Sequence, residues 1–341
     1  MSGGFRNLPL AVARPVLFPR PWGGRRLPKL YAPWLEIPGT AVSEPVGEAW
    51  LVSDHTECES PLEVPSGRSI SPFTLRHWME HAAEWLLGLR AKPTPDGRFP
   101  LLLKLIHADA WLSVQVHPDD ETARRLGEPD VGKTEMWTFI DCKPDSRIIA
   151  GLKDAIPRRE MIELIGRADR DIERYLRSHY PRPGDSVLIP AGTLHAIGPG
   201  LLLAEIQQNS NITYRVYDWD RTDARGSRRP LHPEKSLAAI RWDLPTPALT
   251  SGKTSQDGSV TVTALGGCSY FCAELVELSI AADFFTAGES FHLLLSPGHA
   301  LTVRAADTSL TARPAQAVIV PAGVAHYRVE PPAVFFRYYV P

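Results

Sequence analysis

Apolar positions recur at helical spacing over residues 71–89, where Leu75, Trp78, Met79, Ala82, Trp85 and Leu86 share one face. Pro93 and Pro95 stop that helix. A second helical pattern covers 157–179, with Pro157 at its start and Pro181 beyond its end. Elsewhere the pattern is that of short strands. Residues 99–106 form a nearly continuous apolar run and 111–117 alternate. Ser186–Ile189, 201–207 and 213–219 are further β-like runs, and a second β-rich block extends from about residue 260 to the C-terminus. The stretch 245–258, rich in Pro, Thr, Ser and Gly, is the expected linker. The chain is therefore expected to divide into a domain over 1–245, with helical insertions near 71–89 and 157–179, and a smaller one over 246–341.

Composition sharpens this picture in two places. Thirty-two prolines, against an average usage of roughly 5%, favour many short elements joined by rigid turns, and so a fold dominated by β-structure. Lys plus Arg is 37 and Asp plus Glu 39, a net charge of −2. So even a balance exerts no global pull on nucleic acid or an anionic membrane, and an anionic substrate must be held by a few local basic residues. No run approaches the roughly 20 apolar residues of a spanning helix. Arg6 precedes only a short apolar stretch that Arg14-Pro15 interrupts, so no signal peptide is expected. Cys58, Cys142, Cys268 and Cys272 are scattered in the manner of reduced thiols. A cytoplasmic protein is expected.

The sequence also repeats itself. Ser186-Val-Leu-Ile-Pro-Ala-Gly-Thr-Leu-His195 is echoed 131 residues later by Ala317-Val-Ile-Val-Pro-Ala-Gly-Val-Ala-His326. A β-run, a Pro-x-Gly turn and a histidine recur in register, which implies two copies of one β-barrel module.

Candidate chemistry gathers around the first copy. On a strand, Gln115 and His117 project from one face while Val114 and Val116 face the other way. Gly132-Lys133-Thr134-Glu135 leads into another β-run, and the turn at Pro190-x-Gly192 delivers His195. Two imidazoles, a carboxylate and an amide oxygen make a mixed nitrogen and oxygen donor set for a divalent cation: Zn2+ is favoured, one per chain, with iron, manganese or cobalt as alternatives. Taken singly, His117-Pro118 is an ordinary turn histidine and Glu135 an ordinary solvated carboxylate. The joint pattern is what sets them apart. His326 has the turn but no Gln-x-His strand upstream of it, and reads as structural.

These pieces carry a resemblance. Gly184-x5-Pro190-x-Gly192-x2-His195 is similar to the second conserved cupin motif. Trp22-Gly23-Gly24, Pro45-x-Gly47-Glu48-x-Trp50, the run from Leu112 to Asp120, Gly132-Lys-Thr-Glu-Met-Trp137, the run from Ile189 to Ile197, and the run from Ala204 to Arg221 resemble the type I phosphomannose isomerases, in their short bacterial branch. The likeness covers about residues 20 to 240. It implies an all-β-dominated fold of two cupin jelly-roll barrels with helical insertions, the N-terminal segment completing the first barrel and the second barrel lacking metal. It implies metal ligands at Gln115, His117, Glu135 and His195. The implied reaction interconverts mannose 6-phosphate and fructose 6-phosphate by proton transfer between carbons 1 and 2 through a cis-enediol. A small sugar phosphate is then the partner, with neither nucleic acid nor membrane.

Three residues are candidates for the chemistry. Glu205 is a candidate base, Lys133 can act as acid/base or hold an oxyanion, and Arg215 can take enediolate charge or grip phosphate through its planar guanidinium. Ser113 is placed to donate a hydrogen bond to substrate. Arg215 could instead join an ion-pair network with Asp218 and Asp220. The family pattern is broken at Asn211, where an aspartate is common, and at Thr138-Phe139, where a tyrosine-containing pair is usual. Two other readings are a cupin oxygenase, which needs no phosphate anchor, and a sugar-binding or sensing cupin, or an isomerase of a different sugar phosphate. Loss of a ligand or of the charged residues would mark the binding protein, and here all are present.

Overall fold

The computed structural model describes residues 8–34, 44–64, 73–153, 157–223 and 225–341. Arg6 and positions 71–72 of the first expected helix lie outside them. By internal contacts the chain forms two compact units, one of Leu17–Ala49 and Leu105–Thr250, the other of Met1–Val16, Trp50–Lys104 and Ser251–Pro341. Strands dominate both, and both are cupin-type barrels.

In the first unit the strands that matter to the site are β1 (Val114–Val116), β2 (Glu135–Cys142), β3 (Ser186–Ile189), β4 (His195–Ile197), β5 (Leu201–Gln208) and β6 (Tyr214–Tyr217). One sheet runs β3-β2-β5 and continues through Leu101–Ala108, Val46–Val52 and Val16–Gly24. The other runs Leu176–His179, Ile148–Leu152, β4, β1, β6. Trp137, Phe139, Val187 and Leu203 of the first sheet pack with Ile148, Ala150 and Ile197 of the second in one buried cluster. The opposite face of the second sheet buries Val114, Val116 and Val216 against Met161 and Ile165 of the helix Arg158–Arg167 and Ala239 of the helix Pro233–Ala239. Because strand side chains alternate, Val114 and Val116 facing the helices leaves Gln115 facing the barrel interior.

In the second unit the corresponding strands are β7 (Cys272–Leu278), β8 (Ala282–Phe285), β9 (His292–Leu295), β10 (Ala317–Val320), β11 (His326–Val329) and β12 (Ala333–Tyr339). A nine-stranded sheet runs Lys253–Asp257, Val260–Gly267, β7, β12, β9, β10, Ala11–Ala13, Pro61–Glu63, Phe73–Thr74, and a four-stranded one runs β8, β11, Leu301–Ala305, Thr308–Ala312. They enclose Val276, Phe284, Leu294, Val318, Tyr327 and Phe335.

Three expectations change. The helical pattern over 157–179 is broken, because Ala168 closes the helix Arg158–Arg167 in a left-handed conformation (φ 52°). A 3-10 turn at Arg170–Tyr175, with the Asp169 side chain accepting from the Asp171 amide, then leads into the strand Leu176–His179. Within the expected linker, Lys253–Asp257 forms a hairpin with Val260–Gly267, turned at Gly258 with φ 58°, a conformation that glycine adopts without strain. Of the N-terminal segment expected to complete the first barrel, Ala11–Ala13 instead pairs with β10 and with Pro61–Glu63. The first helix, Leu75–Leu87, carries a kink at Ala82. The four cysteines are free and half-buried, and among the described residues no helix is long and apolar enough to cross a membrane.

His292 gives the second unit a pH-dependent stability. Its Nδ1 lies 2.8 Å from the Tyr327 hydroxyl, and burial, reinforced by Arg337, pushes its pKa down to about 3. An unfolded histidine titrates near ~6.5. Below that value the unfolded chain binds a proton that the folded one refuses, so this stability is present above about pH 6.5 and is lost as pH falls toward about 3. The urea midpoint of His292→Gln is therefore expected to fall less than that of the parent chain between about pH 7 and about pH 4. Parallel curves would mean that His292 is not the group being titrated.

Candidate metal and substrate site

His117 follows β1, Glu135 opens β2 and His195 opens β4. Their ligand atoms all lie within 4.8 Å of one another, and all three residues are buried. Glu135 Oε2 is 3.5 Å from His117 Nε2, and its Oε1 is 3.3 Å from His195 Nε2. The other ring nitrogens are engaged behind: His117 Nδ1 lies 2.7 Å from the Ile212 carbonyl and His195 Nδ1 2.9 Å from that of Thr193. A carbonyl can only accept, so each Nδ1 carries the proton and each Nε2 presents a lone pair to the centre. The Gln115 amide reaches within 3.2 Å of His195 Nε2, and its oxygen and nitrogen exchange places by a half-turn. Ser113 Oγ donates to the Gln115 oxygen at 3.4 Å.

Local structure holds the three pieces together. The Gly192 amide donates to the His117 carbonyl at 2.8 Å, tying the Pro-x-Gly turn to the strand before it. Gly192 has φ +90°, and a Cβ there would stand 2.7 Å from Arg241 Cγ, so only glycine fits without displacement. The approach to Glu135 is fixed by Asp120, whose Oδ1 accepts from the Gly132 amide at 2.8 Å and from Gln208 Nε2 at 2.9 Å, and by Gln208 Oε1, which accepts from the Thr134 amide at 2.9 Å.

The electrostatics point the same way. Neither Glu135 oxygen accepts a well-aligned hydrogen bond, although Lys133 Nζ stands 2.9 Å from Oε2 and 3.3 Å from His117 Nε2. Burial opposes the Lys133 charge, but the carboxylates of Glu135 and Glu205 outweigh it and leave the pKa raised. A buried carboxylate with spare lone pairs, two inward Nε2 atoms and an amide oxygen fit a divalent cation of borderline hardness. The backbone carbonyls behind the histidines are the outer support that such sites use.

Glu205 lies on β5 directly opposite Trp137 of β2, and its buried Oε2 accepts from the indole Nε1 at 2.9 Å. Arg215 reaches the site through the other sheet. Gln115 is paired across strands with His195 on one side and Arg215 on the other, and residues directly opposite project from the same face. His195, Gln115 and Arg215 thus form one row. Asp218 is taken by Arg229 at 2.5 and 2.8 Å and Asp220 by Arg228 at 3.2 Å. Among the described residues Arg215 forms no ion pair within 4 Å, and its buried Nε has no acceptor. Burial works against its charge, and the neighbouring Arg229 and Arg20 add to that, with Asp218 opposing. A half-buried guanidinium under such pressure is a place for an anion.

The candidate site residues Ser113, Gln115, His117, Lys133, Glu135, His195, Glu205 and Arg215 are therefore all in the first unit. Sequence reasoning missed Arg229 and the Arg20–Glu48 pair at 3.0 Å, which shape the field at Arg215. It also missed the indole of Trp137 as the donor to Glu205. Arg229 sits in a charged loop without periodicity, so nothing in its spacing signalled a role.

Residues 16–138 match the model of the phosphomannose isomerase type I catalytic domain. The chain is 38% identical over 273 residues to the mannose-6-phosphate isomerase ManA of Bacillus subtilis, covering 79% of this chain and 80% of that one. The crystal structure of the mannose 6-phosphate isomerase from Bacillus subtilis superposes with a TM-score of 0.84 at 30% identity, covering 97% of this chain and 99% of that one. A zinc-bound mannose 6-phosphate isomerase shares the fold, with a TM-score of 0.70 at 14% identity over 98% of this chain and 100% of that one.

Trp137→Phe removes the indole donor from which the buried Glu205 Oε2 accepts. The expected loss is about 1–3 kcal/mol in chemical denaturation. An unchanged stability would show that the indole does not support Glu205.

Proposed function

The chain belongs to the type I phosphomannose isomerases, and from that premise we propose that it interconverts mannose 6-phosphate and fructose 6-phosphate using the residues of the first barrel. It is an aldose–ketose isomerase. The observation that carries the reading is the row of His195, Gln115 and Arg215 beside Glu135 and His117. It joins a cation-binding donor set to an unpaired guanidinium on one face of one barrel. An oxygenase has no use for that guanidinium, and a binding protein none for the full donor set.

In this reading Gln115, His117, Glu135 and His195 hold the cation, and zinc suits their mixed nitrogen and oxygen donors. When bound it supplies a Lewis acid that polarises the oxygens of the open-chain sugar. Glu205, oriented by the Trp137 indole, takes the carbon-bound proton and returns it to the neighbouring carbon. Lys133, held charged by two carboxylates, donates to the oxygen on which negative charge develops. Arg215 meets the enediolate charge or the phosphate with its fork of donors. Ser113 steadies the Gln115 amide and can donate to a sugar hydroxyl. The catalytic barrel is the unit of Leu17–Ala49 and Leu105–Thr250, and the second barrel serves without a metal of its own. The enzyme works on a sugar phosphate in the cytoplasm.

The test is a coupled assay for fructose 6-phosphate formed from mannose 6-phosphate, before and after chelation. Activity should disappear with chelator and return with added zinc. A folded, metal-loaded protein without turnover would sink the mannose 6-phosphate assignment. His195→Ala is expected to lose metal and activity together. Arg215→Ala is expected to keep its metal, measured by elemental analysis, while kcat/KM falls by at least about a hundredfold, as for loss of a charged group serving the transition state. Full metal and full activity in His195→Ala would refute the ligand set.

A further inference from the structure

Residues 209–213 join β5 of one sheet of the first barrel to β6 of the other. This connection carries the Ile212 carbonyl that accepts from His117 Nδ1, while β5 itself is paired with β2, which Glu135 opens. One short stretch of chain therefore bears on two of the cation ligands. Its conformation sets how far the imidazole held by one sheet stands from the carboxylate held by the other.

Gln207 holds that stretch from within. It is directly opposite Glu135 in the pairing of β5 with β2, and residues so placed project from the same face, here the interior. The residue is fully buried. Its Nε2 donates to the Gln208 carbonyl at 2.9 Å and to the Ser210 carbonyl at 2.5 Å. The Gln208 carbonyl also accepts from the Ser210 amide at 2.8 Å, so the chain reverses tightly around the side-chain amide. Further on, the Ile212 amide donates to Ser210 Oγ at 3.4 Å, and the Asn211 amide to Asp130 Oδ2 at 2.8 Å.

The two carbonyls fix which way the amide faces. A carbonyl only accepts, so the nitrogen must be turned toward them and the oxygen away. Among the described residues the buried Oε1 then has no partner. An unmatched buried acceptor costs stability, and a side chain of the same length without polar atoms would avoid that cost. What the amide supplies in return is its pair of donors, both spent on the connection that leads to Ile212.

We propose that Gln207 is a positioning residue of the metal centre. Its amide shapes the connection over 208–212 so that the Ile212 carbonyl holds His117 at the separation from Glu135 that a divalent cation requires. The inference rests on the ligand set proposed above and adds to it a support whose side chain bonds to none of the ligands. Removing polar groups that stand behind metal ligands typically weakens the metal by about 10–100-fold. Lys133, Glu205 and Arg215 take no part in these hydrogen bonds, so the grip on substrate is separate from the grip on the cation.

The test compares the full chain with Gln207→Met, which keeps the length and removes the donors, and with Gln207→Asn, which keeps the amide but withdraws it by one methylene. Zinc affinity is read by competition with a chromophoric chelator, and ligand geometry by the visible absorption of the cobalt-substituted protein. Both variants are expected to bind zinc at least about tenfold more weakly and to give a cobalt spectrum displaced from that of the parent. With zinc saturating, kcat for mannose 6-phosphate should fall while KM stays within about twofold. Zinc affinity and a cobalt spectrum matching the parent's overturn the proposal, even if the variants unfold at lower urea, and so does failure of both variants to fold, which would make Gln207 a residue of folding alone. A parent chain that binds no zinc would sink the ligand set itself, and this inference with it.

Discussion

Two main-chain carbonyls, those of Ile212 and Thr193, determine what the centre of the first barrel can be. By accepting from His117 Nδ1 and His195 Nδ1 they fix both rings and both tautomers. Two lone pairs then converge on a buried carboxylate in a space from which water's screening is excluded. Acceptors gathered so closely repel one another unless positive charge lies among them. The ammonium of Lys133 supplies some of it from the rim. The rest of the arrangement follows from the same demand, including the short turn through Gly192 that lets the Thr193 carbonyl lie where it does.

The two barrels solve one electrostatic problem in opposite ways. In the first, carboxylates and guanidiniums near the centre are kept partly apart: Arg229 takes Asp218, and Arg215 is left with neighbours of its own sign. That arrangement costs folding energy and is reactive. In the second, Glu274 and Arg337 sit opposite each other on adjacent strands and satisfy one another, with Tyr339 completing the set. A neutralised network of this kind is stable but has no means of driving a proton transfer.

Much of the site was legible in the sequence because its determinants are local. Alternation places Gln115 and His117 on one face of β1 and the residue that follows it, and Pro190-x-Gly192 specifies its turn by backbone preference alone. What escaped was non-local or carried no hydrophobic signal. Nothing in Ala11–Ala13 announces that its partner is β10, some three hundred residues away. Lys253–Asp257 is exposed along its whole length, so no buried face imprinted an apolar period on it, and only the Asp257-Gly258 turn betrayed the hairpin. The break at Ala168 is a backbone event in a residue that favours helices, and periodicity passes over it.

The row of His195, Gln115 and Arg215 bears on how this sequence can drift. Because faces alternate residue by residue, inserting or deleting one amino acid inside β1, β4 or β6 turns a functional side chain from the interior to the helical side while leaving composition and hydropathy almost untouched. Changes of length are thereby confined to the connections, such as the loop between β6 and the helix Pro233–Ala239. Point substitutions within the strands meet only the ordinary limits of packing. Relatives of this chain should differ in the length of their loops and hardly at all in the count of residues between strand start and functional side chain.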